Sequence, residues 1–258
     1  WCEPGLVSVG YLSYEAMVRM LGLQPPTTLA AAPEAMFCFY ESALVFESMT
    51  NNPVITRPEA DDYADLLIRT RHEDTSVQGR PCLAALASMR VEDYVNKVER
   101  IKAHIREGDI YQANLTTRFD IESNTPAWDV YRHLRVNNPA PFSAFMNFGA
   151  FQVISCSPER MFALEATGRV TTAPIKGTIA TGMTEHEQQR NVARLMASEK
   201  DRAELLMIVD LLRNDLGRVA RTGSVRVDSL FCPERYAGVT HLVADISAGG
   251  MLLRTETV

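Results

Sequence analysis

Residues 168–178 read GRVTTAPIKGT, a β-branched run that ends in threonines and continues through a Pro-Ile step into Lys176, Gly177 and Thr178. β-Branched residues favour a pleated, half-buried backbone, so the stretch reads as extended chain up to the glycine. A lysine beside a glycine is ordinarily a solvated lysine at a turn. Here it stands in a segment otherwise composed for burial, and the flanking sequence decides between the two readings.

Downstream, residues 185–214 (EHEQQRNVARLMASEKDRAELLMIVDLLRN) read as one long helix that Gly217 closes. Its first half is polar enough for a surface, whereas AELLMIVDLL (203–212) is apolar on nearly every side, as in a helix buried in a core. Glu204 lies inside that apolar run. An unpaired buried carboxylate costs several kcal/mol, so Glu204 calls for a cation or a hydrogen-bond network. Upstream, PFSAFMNF (141–148) and FQVISC (151–156) read as two strands joined at Gly149 and leading into Ser157-Pro158-Glu159-Arg160.

Further out, residues 91–109 place Tyr94, Val98, Ile101 and Ile105 at helical spacing, with Glu92 and Asp93 at the start and Gly108 at the stop. IYQANLTTRF (110–119) alternates, with Tyr111, Ala113, Leu115 and Phe119 on one face and Gln112, Asn114, Thr116 and Arg118 on the other. Thr125 and Pro126 are the expected N-cap and first position of a helix over AWDVYRHLRV, which Asn137-Asn138-Pro139 halts. Nearer the start, residues 5–14 are β-like, Ser13 and Gly22 bracket a short helix, and MFCFY and SALVFE (36–47) read as a strand pair. Residues 59–87 are the most charged and least periodic stretch. They are read as a linker between the remainder of a β-rich N-terminal domain (1–58) and a second domain (88–258).

The chain has 258 residues, enough for a sizeable core. With 46% hydrophobic and 22% charged residues it has the composition of an ordinary globular protein. Its net charge of -6 and the lack of a Lys/Arg cluster argue against nucleic acid or an anionic membrane as partner. The five cysteines (Cys2, Cys38, Cys82, Cys156 and Cys232) are scattered without a C-x-x-C pair, and read as reduced core thiols of a cytoplasmic protein. No apolar run reaches the length of a membrane span. The chain opens at Trp1 without an initiator methionine, which suggests a fragment.

The ordered set GDIYQANLTTRF, APFSAFMNF, SCSPERMF, APIKGT, EKDRAELLMIVDLLRNDLGRV and GVTHLV resembles the chorismate-utilising enzymes, and among them most the large subunits of aminodeoxychorismate synthases. The resemblance runs from about Gly5 to Ile246 and is weakest over 59–87. It implies an α+β, anthranilate synthase component I-like fold, with antiparallel sheets enclosing the active site and helices packed outside. It also implies amination of chorismate to 4-amino-4-deoxychorismate, on the way to p-aminobenzoate and folate, with ammonia from a glutamine amidotransferase subunit or domain.

The resemblance assigns roles residue by residue. Lys176 matches the nucleophile that attacks chorismate at C2 as the C4 hydroxyl leaves, before ammonia adds at C4 and expels the lysine. Such an amine must be neutral to attack. Glu159 matches the acid/base carboxylate suited to protonating the leaving hydroxyl; without the family, a salt bridge to Arg160 would be the plainer reading. Glu204 matches a ligand of Mg2+, whose role is to hold the chorismate carboxylate. Gln112, Gly177, Thr178 and His241 fall in the substrate-binding set. Relatives that add water usually carry a lysine in place of Gln112, so glutamine points to ammonia as nucleophile.

Anthranilate synthases, the nearest competitor, normally have alanine in place of Lys176. Their tryptophan-sensing members usually read NPSPYMFF where this chain reads NPAPFSAF (138–145). After Ile246 the family continues to a GGSxTGAPK segment and a second metal-binding glutamate, which this chain lacks. The resemblance therefore implies a chain truncated at both ends and inactive by itself. The reading from a different class is a non-catalytic chorismate-fold remnant.

Overall fold

The computed structural model of the chain describes residues 7–25, 32–41, 43–46, 53–55, 85–236 and 238–250. The chain divides into two compact units, Trp1–Ser76 with Leu134–Val258, and Val77–His133. The elements in chain order begin with β1 (Val7–Leu12), α1 (Tyr14–Met20), β2 (Ala35–Tyr40), β3 (Leu44–Phe46), β4 (Pro53–Ile55), β5 (Ala85–Ala87), α2 (Val91–Glu107), β6 (Phe119–Ile121) and α3 (Ala127–Asn137). They continue with β7 (Phe142–Asn147), β8 (Gln152–Ser157), β9 (Ala163–Leu164), β10 (Val170–Thr172), β11 (Ile175–Ala180), α4 (Glu185–Ala197), α5 (Glu199–Val219), β12 (Arg226–Arg235) and β13 (Val239–Ala248). Apart from Ala85–Ala87, the stretch 59–87 expected to be a linker lies outside the described residues, as do Cys2 and Cys82. Cys38, Cys156 and Cys232 are free thiols, half-buried rather than in the core.

The first unit is organised around β13, whose two edges are taken by β12 and by the run β10–β11, all antiparallel to it. GRVTTAPIKGT therefore runs along one edge of a single long strand. Thr172 lies opposite Ile246 and Ile175 opposite Val243, and the Ala244 N–H donates to the Pro174 carbonyl between them. β9 adds outside β10. The even-numbered residues Leu242, Ala244, Ile246 and Ala248 share one core with Leu195 of α4 and Leu205, Val209 and Leu216 of α5. Leu205 and Leu242 have no exposed surface, and burying a leucine side chain contributes about 1.5–3 kcal/mol of transfer free energy. Period two on the strand and period 3.6 on the helix thus meet in one layer.

The expected single helix over 185–214 is two helices. Ser198 ends α4 with extended backbone (φ -72°, ψ 104°), its N–H donating to the Leu195 carbonyl, and its Oγ accepts from the Asp201 N–H to cap α5. A serine side chain competes with helical backbone bonds and so favours such a junction. Gly217 sits inside α5, which runs on to Val219. Nor is the apolar run buried on every side: Leu205 and Val209 face the sheet, while Leu206 and Leu211 are 51% and 54% exposed. Among the described residues no element covers that outer side.

Two strand expectations also change. β2 pairs with β1, and β3 pairs with β4, so MFCFY and SALVFE do not pair with each other. A hydrophobic alternation fixes which face is buried and leaves the partner open. Of residues 110–119 only Phe119 enters a strand, β6, opposite Ala87, and Tyr111 is 88% exposed. Strands exist through pairing, and residues 110–118 have no strand partner among the described residues. The hairpin of β7 and β8 forms as expected, with Gly149 at φ 80° in its turn. So do the α1 cap at Ser13 and the left-handed stop of α2 at Gly108. The second unit contains β5, α2, β6 and the first part of α3, which crosses the unit boundary.

Candidate active site

The register of β11 against β13 slips between Lys176 and Thr178. Lys176 lies opposite Leu242 and Thr178 opposite His241, so Gly177 is the extra residue of a β-bulge, with φ 74°. Two constraints require glycine there. A positive φ is strained for any L side chain. A Cβ at this position would also stand 2.9 Å from Asp201 Cβ and 3.1 Å from Leu195 Cδ1.

The bulge sorts the side chains. Lys176 shares the helix-covered face with Leu242, and Ile179 joins the core on that side. Ile175 and Thr178 share the other face with Val243 and His241. An unbulged strand would put residues 176 and 178 on one face; the extra residue puts Lys176 and Thr178 on opposite faces.

Four consecutive residues, 175–178, gather the other candidates. The Ile175 N–H donates to Glu159 Oε1 at 3.1 Å, so the carboxylate sits on the edge of β11 at the residue that precedes Lys176. Glu159 is held in turn by Ser157, whose hydroxyl donates to the Glu159 carbonyl at 2.9 Å. His241 Nδ1 stands 2.9 Å from Thr178 Oγ1 and 3.3 Å from the Gly177 carbonyl oxygen. Nδ1 is thus within hydrogen-bond distance of a carbonyl, which only accepts, and of a hydroxyl, which can donate or accept. Lys176 is half-buried, with no ion-pair or hydrogen-bond partner among the described residues.

Glu159 does not form the salt bridge to Arg160 that the bare sequence allows. Arg160 places its guanidinium over the Phe142 ring, 5.9 Å from the centroid, with its Nε buried and unpartnered among the described residues. Glu204 differs from the buried, unpaired carboxylate expected of an apolar helix. Its side chain is 39% exposed and lies 3.6 Å from Lys200 one turn earlier, a contact worth a few tenths of a kcal/mol. Such a carboxylate is accessible to a cation. Among the described residues no further carboxylate, histidine or cysteine joins it in a three-ligand cluster; the one such group, His104, Glu107 and Asp109, belongs to the other unit. Mg2+ commonly takes one or two protein carboxylates and fills its remaining positions with water and substrate oxygens, so Glu204 fits as a single ligand. Gln112 is exposed and belongs to the second unit.

Glu234 and Tyr236 were not singled out from the sequence. Glu234 lies directly across from His241 in the β12–β13 ladder. The Tyr236 hydroxyl donates to Glu234 Oε2 at 2.9 Å, and its ring meets the His241 ring edge-on at 5.2 Å. Burial, then the bond to Glu234 and its charge, then the charge of Glu159, push the phenol up to about 12. Both residues line a cleft of about 370 Å³ with Phe142, Arg160, Ile175 and Asp245. The available signal was the Glu-x-Tyr spacing two residues before GVTHLV, which puts both side chains on the histidine's face once the strands pair.

Among the described residues no helix is long and apolar enough to cross a membrane. Residues 2–250 match the family described as chorismate binding enzyme. The chain is 32% identical over 262 residues to anthranilate synthase component 1 of Acetivibrio thermocellus, covering 93% of this chain and 53% of that protein. It is 44% identical over 162 residues to aminodeoxychorismate synthase component 1 of Klebsiella aerogenes, covering 63% of this chain and 36% of that protein. The crystal structure of anthranilate synthase component I from Streptococcus pneumoniae TIGR4 superposes with a TM-score of 0.79 at 28% identity, over 97% of this chain and 58% of that one. The chain thus spans about half the length, or less, of the curated relatives it matches.

Proposed function

The chain belongs to the chorismate binding enzymes, with the mixed helix and antiparallel-sheet fold of that family, and from this premise we propose that its reaction is the amination of chorismate to 4-amino-4-deoxychorismate. The observation that carries the reading is the stretch 175–178, which holds Glu159 through the Ile175 N–H, carries Lys176, and holds His241 through Gly177 and Thr178.

In this reading the Lys176 amine forms a bond to C2 of chorismate, the ring double bond shifts, and the C4 hydroxyl departs as water with a proton from Glu159. Ammonia then bonds to C4, the double bond shifts back, and the C2–nitrogen bond to Lys176 breaks. A proton from the ammonium group returns to Glu159, so that chorismate and ammonia give aminodeoxychorismate and water. Thr178, Gly177 and His241 orient the substrate. Mg2+ held by Glu204 supplies a positive charge for the substrate carboxylate. Ammonia comes from a glutamine amidotransferase partner, and the setting is cytoplasmic.

A second reading, anthranilate formation, draws on relatives of that name matched as closely as the aminodeoxychorismate synthases. Lys176 in place of the usual alanine favours the first. The two products differ in their atoms: anthranilate formation releases the enolpyruvyl group as pyruvate, and aminodeoxychorismate retains it. Protein carrying this chain, given chorismate, Mg2+ and ammonium salt, is expected to consume chorismate without releasing pyruvate. Stoichiometric pyruvate together with fluorescent anthranilate would replace this proposal with the second reading.

A further inference from the structure

His241 has a carboxylate within reach that it does not use. Glu234 is its direct cross-strand neighbour, and opposite residues in an antiparallel pair bring their Cβ atoms to about 4.5–5.5 Å. Imidazole and carboxylate at that separation ordinarily pair, and the pairing favours the charged ring. Instead the Glu234 carboxylate accepts from the Tyr236 hydroxyl at 2.9 Å, while His241 Nδ1 turns to the Gly177 carbonyl and Thr178 on the opposite strand. Tyr236 also lays its ring edge-on against the imidazole at 5.2 Å. One side chain therefore occupies the carboxylate and supports the ring.

We propose that Tyr236 is a positioning residue, whose hydroxyl holds Glu234 away from His241 and whose ring fixes the imidazole so that Nδ1 stays on the Gly177 bulge and Nε2 is left for the substrate. The inference rests on the reading of His241 as an active-site group, but its test needs no chorismate. The charged and titratable groups on this face include Glu234 and Tyr236 from β12 and the residue following it, Glu159 at the edge of β11, Arg160, whose guanidinium lies over the Phe142 ring, and Asp245 of β13, whose carboxylate accepts from the Ser229 hydroxyl at 2.5 Å. Arg235, the neighbour of Glu234 in sequence, donates to the side-chain carbonyl of Gln188 at 3.0 Å.

The measurement is long-range proton–nitrogen correlation of the imidazole ring in the labelled chain at fixed neutral pH, with His241 assigned by its loss in His241→Gln. Tyr236→Phe keeps the ring and removes the hydroxyl. Glu234 is then free to turn to the imidazole, and the His241 nitrogen shifts are expected to move toward the imidazolium position. Adding Glu234→Gln to Tyr236→Phe removes the new partner's charge and should return the shifts most of the way to the parent values. Unchanged shifts in Tyr236→Phe, or a change that Glu234→Gln does not reverse, would overturn the proposal. Should Tyr236→Phe lose its near-ultraviolet circular dichroism, Glu234→Gln alone decides. It leaves the His241 shifts in place and lowers the late-ionising phenol midpoint seen near 295 nm if Tyr236 is bonded to Glu234, and an unmoved phenol midpoint refutes the bond on which the proposal depends.

Discussion

Replacing Gly177 by alanine tests the centre of the site through stability. Two costs add. The left-handed conformation at φ 74° disfavours a residue with a Cβ by about 1–2 kcal/mol. The new methyl would stand 2.9 Å from Asp201 Cβ and 3.1 Å from Leu195 Cδ1, and overpacking of this kind costs about 1–3 kcal/mol. Neither neighbour yields easily. Asp201 Cβ is fixed to the backbone of the first turn of α5, where the Asp201 N–H is capped by Ser198, and Leu195 is buried to 2% exposure in the core. The expected destabilisation is about 2–5 kcal/mol. Gly149→Ala is the matched control, because Gly149 has φ 80° with nothing within 4 Å of a built Cβ, so it meets the conformational cost alone, about 1–2 kcal/mol. Urea unfolding of both variants, extrapolated linearly to water, isolates the steric part as the difference between them. A Gly177→Ala chain no less stable than Gly149→Ala would refute the close approach of β11 to α5, and with it the bulge as the device that separates Lys176 from Thr178.

Three further outcomes are expected. Lys176→Ala removes a half-buried side chain without a described partner, so stability should change by less than about 1 kcal/mol, while mass spectrometry of chorismate-treated protein should lose any covalent adduct. An adduct found on another residue would displace Lys176 as nucleophile. Glu204→Gln breaks only an exposed i,i+4 pair with Lys200 and should cost under about 0.5 kcal/mol while raising the Mg2+ concentration needed for half-maximal activity severalfold; an unchanged Mg2+ requirement would leave Glu204 as the partner of Lys200 and nothing more. The Tyr236 phenol titrates at about 12 in the folded chain, above its ordinary value of 10.0. Because the folded state holds that proton more tightly than the unfolded state, the contribution is fully present below pH about 10 and is lost as pH rises through about 12. Tyr236→Phe should therefore flatten the fall in stability over that window, and equal slopes in parent and variant would contradict the shift.

Much of the local structure could be read from the sequence because it is encoded locally. The period of Tyr94, Val98, Ile101 and Ile105 forms α2, and Gly108 ends it in the left-handed conformation. The alternation around Gly149 forms the β7–β8 hairpin. The break at Ser198 was also written locally: Ser198 with Asp201 three residues on is an N-cap signature, set in a run whose helix-forming residues on both sides suggested continuity. Partners across the chain are a different matter. MFCFY carries no mark that selects β1 over β3, and the pairing is decided by which edge completes a buried face once the chain has collapsed. The exposed Leu206 and Leu211 show the same limit from the other direction: an apolar run records a capacity for burial, and what covers each side depends on the rest of the fold.

The site divides along the same line. Lys176, Glu159 and His241 each sit in a compact motif that sequence reading can single out, and the structure ties Glu159 and His241 by hydrogen bonds to the four-residue stretch that carries Lys176. What the motif does not express is the reason for its glycine, which becomes apparent only when β11 is set against both β13 and α5. The bulge sets the Gly177 carbonyl beside His241 while keeping the lysine on the other face, so the glycine between Lys176 and Thr178 is a geometric requirement. Glu234 and Tyr236 lie outside that motif and reach His241 through the register of β12 against β13. A single-residue slip of that register would send both side chains to the helix-covered face. The two register irregularities of β12, at Val227/Ser229 and Ser229/Cys232, each add one residue, so together they restore the parity of the strand and bring Glu234 opposite His241 rather than Val239. Phe231, within the second, holds a positive φ of 59° and packs beneath Arg202 at 4.8 Å. Replacing Phe231 by glycine relieves the backbone but removes that packing, and the register that brings Glu234 to His241 is then the feature most directly exposed to change.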